Sequence, residues 1–271
     1  RLDRGPWAGR LLRELYAECW TPWAWHKPIF DHAHSLGLIP FSAAFDQPSV
    51  DFLETLGVDR HKVASFELTD LPLIRHMASK GKPILLSTGM ATYDEIERAF
   101  WAARPNHVTI LKCTSAYPAS AKDANLGQMQ GMFGSAYGLS DHTLGIGVSA
   151  AAVALGASYI EKHLTLSRAD GGPDAGFSME PDEFAAMVKA CREAADAMGE
   201  PTGIGEEDSR HLRRSLWVAR AMKQGEPVVL GDNVVSARPG GGLSPDTYLI
   251  GQRASRDLPA GSPLTADCLS P

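Results

Sequence analysis

The sequence predicts an α/β fold built on a parallel sheet, followed by a small β-rich domain. Three observations carry this. Over the first two-thirds of the chain, short apolar runs alternate with helical patterns of ~10–15 residues, which is the signature of βαβ units. Those apolar runs end in polar residues: Phe41-Ser42, Ala64-Ser65-Phe66-Glu67, Leu86-Ser87-Thr88-Gly89, Cys113-Thr114-Ser115-Ala116-Tyr117, Ser140-Asp141-His142 and Glu161-Lys162-His163. Strands that are all polar at one end describe the catalytic face of a β/α barrel. Beyond residue 213 the style changes to short strand-like runs separated by turns such as Arg238-Pro239-Gly240-Gly241-Gly242.

In chain order, strands are expected near 38–42, 61–66, 83–88, 108–113, 137–140 and 157–162, with helices over 47–56, 71–79, 92–103, 145–155 and 181–197. Thr92-Tyr93-Asp94-Glu95 has the spacing of a capping box. Pro181-Asp182-Glu183 puts Pro and acids in a first helical turn. Six strands fall short of the eight that close a (β/α)₈ barrel. The sheet is therefore open, or two strands precede Arg1. Residues 199–212 read as a polar, Gly-rich linker between a barrel domain at 1–198 and a β domain at 213–271. The second domain, with runs at 215–220, 227–230, 234–237 and 248–250, is small enough to be marginal alone.

Bulk properties narrow the function classes. The 271 residues carry a formal net charge of −6, which disfavours nonspecific binding to nucleic acid or an anionic membrane. The cysteines Cys19, Cys113, Cys191 and Cys268 are scattered, which argues against a disulfide framework or zinc knuckle and fits a reducing, cytoplasmic compartment. No apolar stretch approaches the ~20 residues of a membrane span. Arg1-Leu2-Asp3-Arg4-Gly5-Pro6 lacks a start methionine and the apolar core of a signal peptide, so the chain is expected to begin inside a longer protein.

His142 and His163 end consecutive strands. Neighbouring strands lie ~4.8 Å apart, so both imidazoles can reach one metal ion; the alternative is two hydrogen-bonded histidines lining a polar pocket. Two imidazoles and oxygen ligands do not select one ion. Glu161, Asp174, Glu67 and Asp141 are general-base candidates or salt-bridged structural carboxylates, and Asp141 has the further option of orienting a ligand histidine. Lys162, between Glu161 and His163, should point to the opposite face of its strand. The strand-end serines either cap the following turn or donate to an anion. Trp20, Trp23 and Trp25 are expected to pack at the barrel rim.

The ordered series Phe41-Ser42-Ala43-Ala44-Phe45-Asp46, Lys62-Val63-Ala64-Ser65-Phe66-Glu67, Lys82 to Met90, Gly138 to Thr143, Glu161-Lys162-His163, Gly172-Pro173-Asp174 and Arg238-Pro239-Gly240 resembles the sialic acid synthase family over essentially the whole chain. Thr21-Pro22-Trp23-Ala24-Trp25-His26, Ser65-Phe66-Glu67 and Ser167-Arg168-Ala169-Asp170-Gly171-Gly172 are most like its pseudaminic acid branch. The resemblance implies a (β/α)₈ TIM barrel followed by a small antifreeze-like (SAF) domain. Strands three to eight would lie here, and the first two, with a catalytic glutamate and lysine, upstream of Arg1.

It also implies the reaction. Phosphoenolpyruvate would condense with a 2,4-diacetamido-2,4,6-trideoxy hexose and water to give a nonulosonic acid and phosphate. Alternatives are N-acetylneuraminate or legionaminic acid synthesis from another amino sugar, or a non-catalytic carbohydrate-binding role. By resemblance, His142 and His163 ligate a divalent cation, Mn²⁺ or Mg²⁺. Lys62, Ser65, Ser87, Ser115, Ser140 and Phe45 bind substrate, while Glu161, Asp174 and Tyr117 act in catalysis. Arg238 reaches the sugar in the partner's site of a domain-swapped homodimer.

Overall fold

The computed structural model describes residues 1, 3, 7–128, 136–199 and 207–271, and it divides into two compact units, Arg1–Gly199 and Glu200–Pro271. Much of the expected linker, residues 200–206, lies outside the described residues; Glu207–Leu212 forms a short 3₁₀ segment.

The first unit holds a five-stranded parallel sheet in the order β1 (His61–Val63), β2 (Ile84–Ser87), β3 (Val108–Cys113), β4 (Ala136–Asp141) and β5 (Tyr159–Lys162). The helices are α1 (Leu12–Cys19), α2 (Trp23–Ser35), α3 (Gln47–Thr55), α4 (Leu71–Ala78), α5 (Tyr93–Ala103), α6 (Gly147–Ala154) and α7 (Pro181–Met198). Strand residues such as Val63, Ile84, Leu86, Val108 and Ile110 pack with Val50, Leu53, Ile74, Met77, Ile96 and Phe100 of the helices, which is why the strands read as nearly continuous apolar runs. Helix α5 starts with the expected capping box, Thr92 and Glu95 bonding each other's backbone amides. Helix α7 carries proline in its first turn and a second box from Glu180 and Glu183.

The sheet is curled. Before β1, Arg60 hydrogen-bonds the Tyr159 hydroxyl at the start of β5, and Lys62 of β1 approaches Glu161 of β5 to 3.5 Å. These strands form opposite edges of the sheet, so its inner face is concave, a half-barrel. Gly138 allows the curl: a Cβ there would lie 2.7 Å from the Leu111 side chain and 2.4 Å from the Tyr159 carbonyl.

The strand expected near 38–42 is reduced to one parallel bridge, Ala43 to Lys62. Pro40 has no amide to donate, and Leu38 and Ile39 are exposed. Five strands therefore form the sheet among the described residues, not six, and they do not close an eight-stranded barrel. Trp23 stacks on Phe52 with centroids 4.4 Å apart, and Trp20, Trp23 and Trp25 are all exposed.

In the second unit β6 (Ser215–Val218) pairs antiparallel with β7 (Val234–Ala237), and β8 (Arg253–Ala254) with β9 (Leu269–Ser270). The expected run at 227–230 makes only isolated bridges, and 248–250 forms no strand because Tyr248 and Ile250 face solvent. A separate core of Leu216, Val218, Met222, Val234, Leu258 and Leu264 holds this unit together.

Candidate active site

Alternation along the strands decides which residues face the concave side. Lys62, Ser87, Cys113, Ser140 and Glu161 lie on it, near the C-terminal ends. The Lys62 ammonium is buried; it donates to Ser87 Oγ at 2.8 Å and to the Val63 carbonyl at 3.1 Å, and lies 3.5 Å from Glu161. Ser140 donates to the other Glu161 oxygen at 2.7 Å. Glu161 therefore holds two donors from β1 and β4 that an incoming anion would share or take over.

The loop after β2 closes one side. Gly89 N–H donates to Ser65 Oγ at 3.0 Å, and a Cβ on Gly89 would lie 2.0 Å from Ser115 Oγ and 2.8 Å from Ser65 Oγ. Only glycine lets these hydroxyls converge. Met90, next in the chain, is held at φ 66°, a left-handed conformation rare for a side chain of its size and characteristic of functional loops. Ser65, Ser87, Ser115 and Ser140 are thus gathered with Lys62 at one end of the half-barrel.

His142 and His163 meet beside this cluster, with ring centroids 5.2 Å apart. His142 Nδ1 lies 3.0 Å from the Thr114 carbonyl and 3.8 Å from Cys113 Sγ. Burial disfavours the His142 cation, but these two acceptors outweigh it and leave its pKa above the ordinary value. Burial lowers the pKa of His163, with His142 adding to the effect and Asp174, 3.5 Å from Nδ1, opposing it. A proton kept on Nδ1 by Thr114, or by Asp174, leaves Nε2 as a lone-pair donor. The donor set fits a divalent cation held by these two nitrogens. Among the described residues no three His, Cys, Asp or Glu side chains form a metal cluster, so oxygens of substrate or water would complete the coordination.

Tyr117 packs 4.4 Å from His142 and 5.3 Å from Phe177, and burial raises its pKa. Glu67 is brought in after β1. Its Oε2 is buried without a hydrogen-bond partner, and burial raises its pKa against the pull of Lys62. An orphaned polar atom beside converging hydroxyls marks a place for a polar ligand.

The outer face of the same strands differs. Lys162 and Asp141 form a buried ion pair at 2.8 Å, each side chain 1% exposed. Asp141 also accepts from Thr143 N–H at 2.9 Å and Ser149 Oγ at 2.7 Å. Burial pushes the Asp141 carboxyl up, but Lys162, Thr143 and Ser149 together leave it below the usual range. Asp141 thus pairs with Lys162 instead of orienting a histidine, and Lys162 has the structural role that its position implies.

Two expected site residues are exposed. Phe45 is exposed on the segment leading into α3, with no ring contact to the cluster among the described residues. Arg238 belongs to the second unit, exposed on a turn pinned by the Pro239 carbonyl, which accepts from Ser215 Oγ at 3.0 Å and Trp217 Nε1 at 2.8 Å. Sequence reasoning missed Trp7, whose ring lies 5.6 Å from Tyr117; no periodicity near the N-terminus signals it.

Comparison with known proteins fits this arrangement. Residues 2–203 match the NeuB family and residues 213–270 match the SAF domain. The chain belongs to the NeuB family. It is 40% identical to the pseudaminic acid synthase of Helicobacter pylori over 96% of its own length and 80% of that protein's. It is 37% identical to the N,N'-diacetyllegionaminic acid synthase of Legionella pneumophila over 88% of its length and 71% of that protein's. The N-acetylneuraminic acid synthetase of Leptospira borgpetersenii, solved with citrate, superposes with a TM-score of 0.69 at 29% identity, over 73% of this chain and 71% of that one. This NeuB-family chain is accordingly a condensing enzyme of the synthase class.

Proposed function

We propose that this NeuB-family enzyme condenses phosphoenolpyruvate with a 2,4-diacetamido-2,4,6-trideoxy hexose and water, giving pseudaminic acid and phosphate. The observation that carries the reading is the convergence of Lys62 and the Ser65, Ser87, Ser115 and Ser140 hydroxyls beside the His142–His163 pair. A phosphate needs an ammonium and several O–H or N–H donors, and few other ligands would use so many. The identity to pseudaminic acid synthase over 96% of the chain favours that sugar over the legionaminic acid precursor.

In this reading C3 of phosphoenolpyruvate attacks the sugar aldehyde carbon, and the aldehyde oxygen takes up a proton. Water adds at C2 with loss of a proton; the C2–O bond to phosphate then breaks as the new C2 hydroxyl gives its proton to the departing phosphate, leaving a ketone. Lys62 and the serines hold the phosphate and balance its charge as it leaves. A Mn²⁺ or Mg²⁺ ion on His142 and His163 would supply Lewis acidity at the aldehyde oxygen. Glu161 lets go of Lys62 and Ser140 as the phosphate enters and is then free to take a proton. Glu67, whose pKa burial raises, is a second proton carrier. Asp174 steadies His163, and Tyr117 walls the sugar side. Phe45 contacts the sugar once the mouth is covered.

The Ala43–Lys62 bridge marks the edge at which further strands would extend the half-barrel, and the enzyme works in the cytoplasm as a homodimer. Arg238, exposed on its pinned turn, presents a rigid fork of donors to the sugar bound by the other subunit. Two measurements test these statements. Phosphate release from phosphoenolpyruvate should depend on the diacetamido trideoxy sugar; release with other amino sugars alone overturns the substrate assignment. Mixed Arg238→Ala and His142→Ala subunits should regain activity in the heterodimer; a confirmed but inactive heterodimer rules out the trans arrangement.

A further inference from the structure

We infer that Trp7 is a specificity-determining residue for the amino sugar, selecting substituents that end in methyl groups over hydroxyls at the same place. This inference rests on the condensing reading above and names the feature of the sugar that the site measures. The indole lies 5.6 Å from the Tyr117 ring, tilted by 48°. Tyr117 in turn lies 5.3 Å from Phe177, and Phe177 lies 5.1 Å from His163. Trp7, Tyr117 and Phe177 therefore form one unbroken aromatic wall beside the histidine pair.

The polar atom of the indole is already used. Its N–H donates to the Pro173 carbonyl at 3.1 Å, 166 residues away in sequence, immediately before Asp174. What Trp7 leaves for a ligand is aromatic surface alone. Trp7 is also half-buried, neither packed into a core nor free on the surface. An acetamido methyl or a 6-deoxy methyl group loses nothing against such a wall. A hydroxyl placed there gives up hydrogen bonds to water with no replacement. Differences of this kind in an apolar pocket are worth on the order of 10–200-fold.

The test compares the 2,4-diacetamido-2,4,6-trideoxy hexose with a 2-acetamido-2-deoxy hexose that keeps hydroxyls at C4 and C6. Trp7→Ala should raise KM for the trideoxy sugar roughly tenfold, leave KM for phosphoenolpyruvate within about twofold, and shrink the kcat/KM ratio between the sugars. Trp7→Gln retains an N–H donor for Pro173 but no wall. It should lose the preference equally, and it carries the test if Trp7→Ala fails to fold. Equal losses for both sugars, a parallel rise in KM for phosphoenolpyruvate, or a preference retained by Trp7→Gln overturns the inference. Calorimetric binding of both sugars to the unsubstituted enzyme separates the two levels. Equal affinity overturns the role of Trp7, whereas preferential binding without phosphate release supports the wall and overturns the condensing reading.

Discussion

Strands β4 and β5 carry opposite chemistry on their two faces, one residue apart. Inward, Ser140, His142, Glu161 and His163 crowd together with Tyr117 at the mouth of the half-barrel. Outward, Asp141 and Lys162 neutralise each other, with Thr143 N–H, Ser149 and backbone carbonyls completing their hydrogen bonds. Both faces are polar, but the outer pair is buried whereas Glu161 and His163 keep side chains 41% and 33% exposed. The further difference is satisfaction. The outer pair has a full set of partners and needs no ligand, while the inner face has donors in excess and, nearby, the orphaned Oε2 of Glu67. A buried polar cluster indicates a site only where it is incomplete. The period of two along a strand lets the fold place scaffold and chemistry on adjacent residues.

The sharpest way to break this contrast is on the inner face. His142→Ala or His163→Ala should cost on the order of 10³-fold in kcat, since the Lewis acid proposed there would supply several kcal/mol to the barrier. Far-UV circular dichroism and the urea midpoint should change little, because neither ring is a core packing element. Phosphate release measured with and without a chelator is the check. Turnover that survives both substitutions and the chelator would remove the metal from the reading.

On the outer face the expected loss is in stability first. Asp141→Ala leaves the Lys162 ammonium buried and unpaired, a cost of about 3–5 kcal/mol. Lys162→Met leaves Asp141 with two donors and should cost less. The double variant should recover most of the loss, because neither charge remains. Urea unfolding of the four proteins gives the coupling directly. Additive losses would mean that the pair does not act as a unit. The register pairs Asp141 with Lys162, so the ion pair fixes the strand ends from which both histidines project, and Mn²⁺ affinity should weaken even in the folded double variant.

Much of this division was legible in the sequence. Apolar runs ending in Ser87, Ser140, His142, Glu161 and His163 located the polar end of the sheet. Alternation alone placed Lys162 on the far side from its neighbours. The histidine pair, the serine cluster and the Lys62 contact all come together, because parallel strands in register bring their C-terminal ends to one edge. Other features depend on long-range packing and leave no local signal. Asp141 has the same sequence context as a histidine-orienting carboxylate; only the position of Ser149, on the following helix, and of Lys162 reveals its actual partners. Phe45 sits within a recognisable motif, yet it is exposed. Trp7 becomes visible only when the chain returns to Pro173. The strand at 38–42 had the right composition but makes a single bridge, since composition does not supply a hydrogen-bonding neighbour.

The smallest expected effect extends the contrast to β1, where Lys62 faces inward and His61 outward. His61 is 1% exposed and its Nε2 lies 3.0 Å from Glu54, but neither ring nitrogen makes a hydrogen bond; Glu54 accepts from Lys82 at 2.8 Å. Burial holds the His61 pKa below its ordinary value, Lys82 and Lys80 push the same way, and Glu54 opposes them. The folded protein therefore binds fewer protons at this site than the unfolded chain. The stability that this implies is complete above the unfolded pKa of ~6.5 and is lost as pH falls below it, with a slope no steeper than about 1.4 kcal/mol per unit for one group. His61→Phe fills the same space without a titrating ring. Urea unfolding between pH 7.5 and 5.5 should show the unsubstituted enzyme losing more stability than His61→Phe. Parallel pH dependence in the two proteins would mean that His61 is protonated as easily in the fold as out of it, and that the outer face of β1, unlike that of β4 and β5, does not keep its charges fully paired.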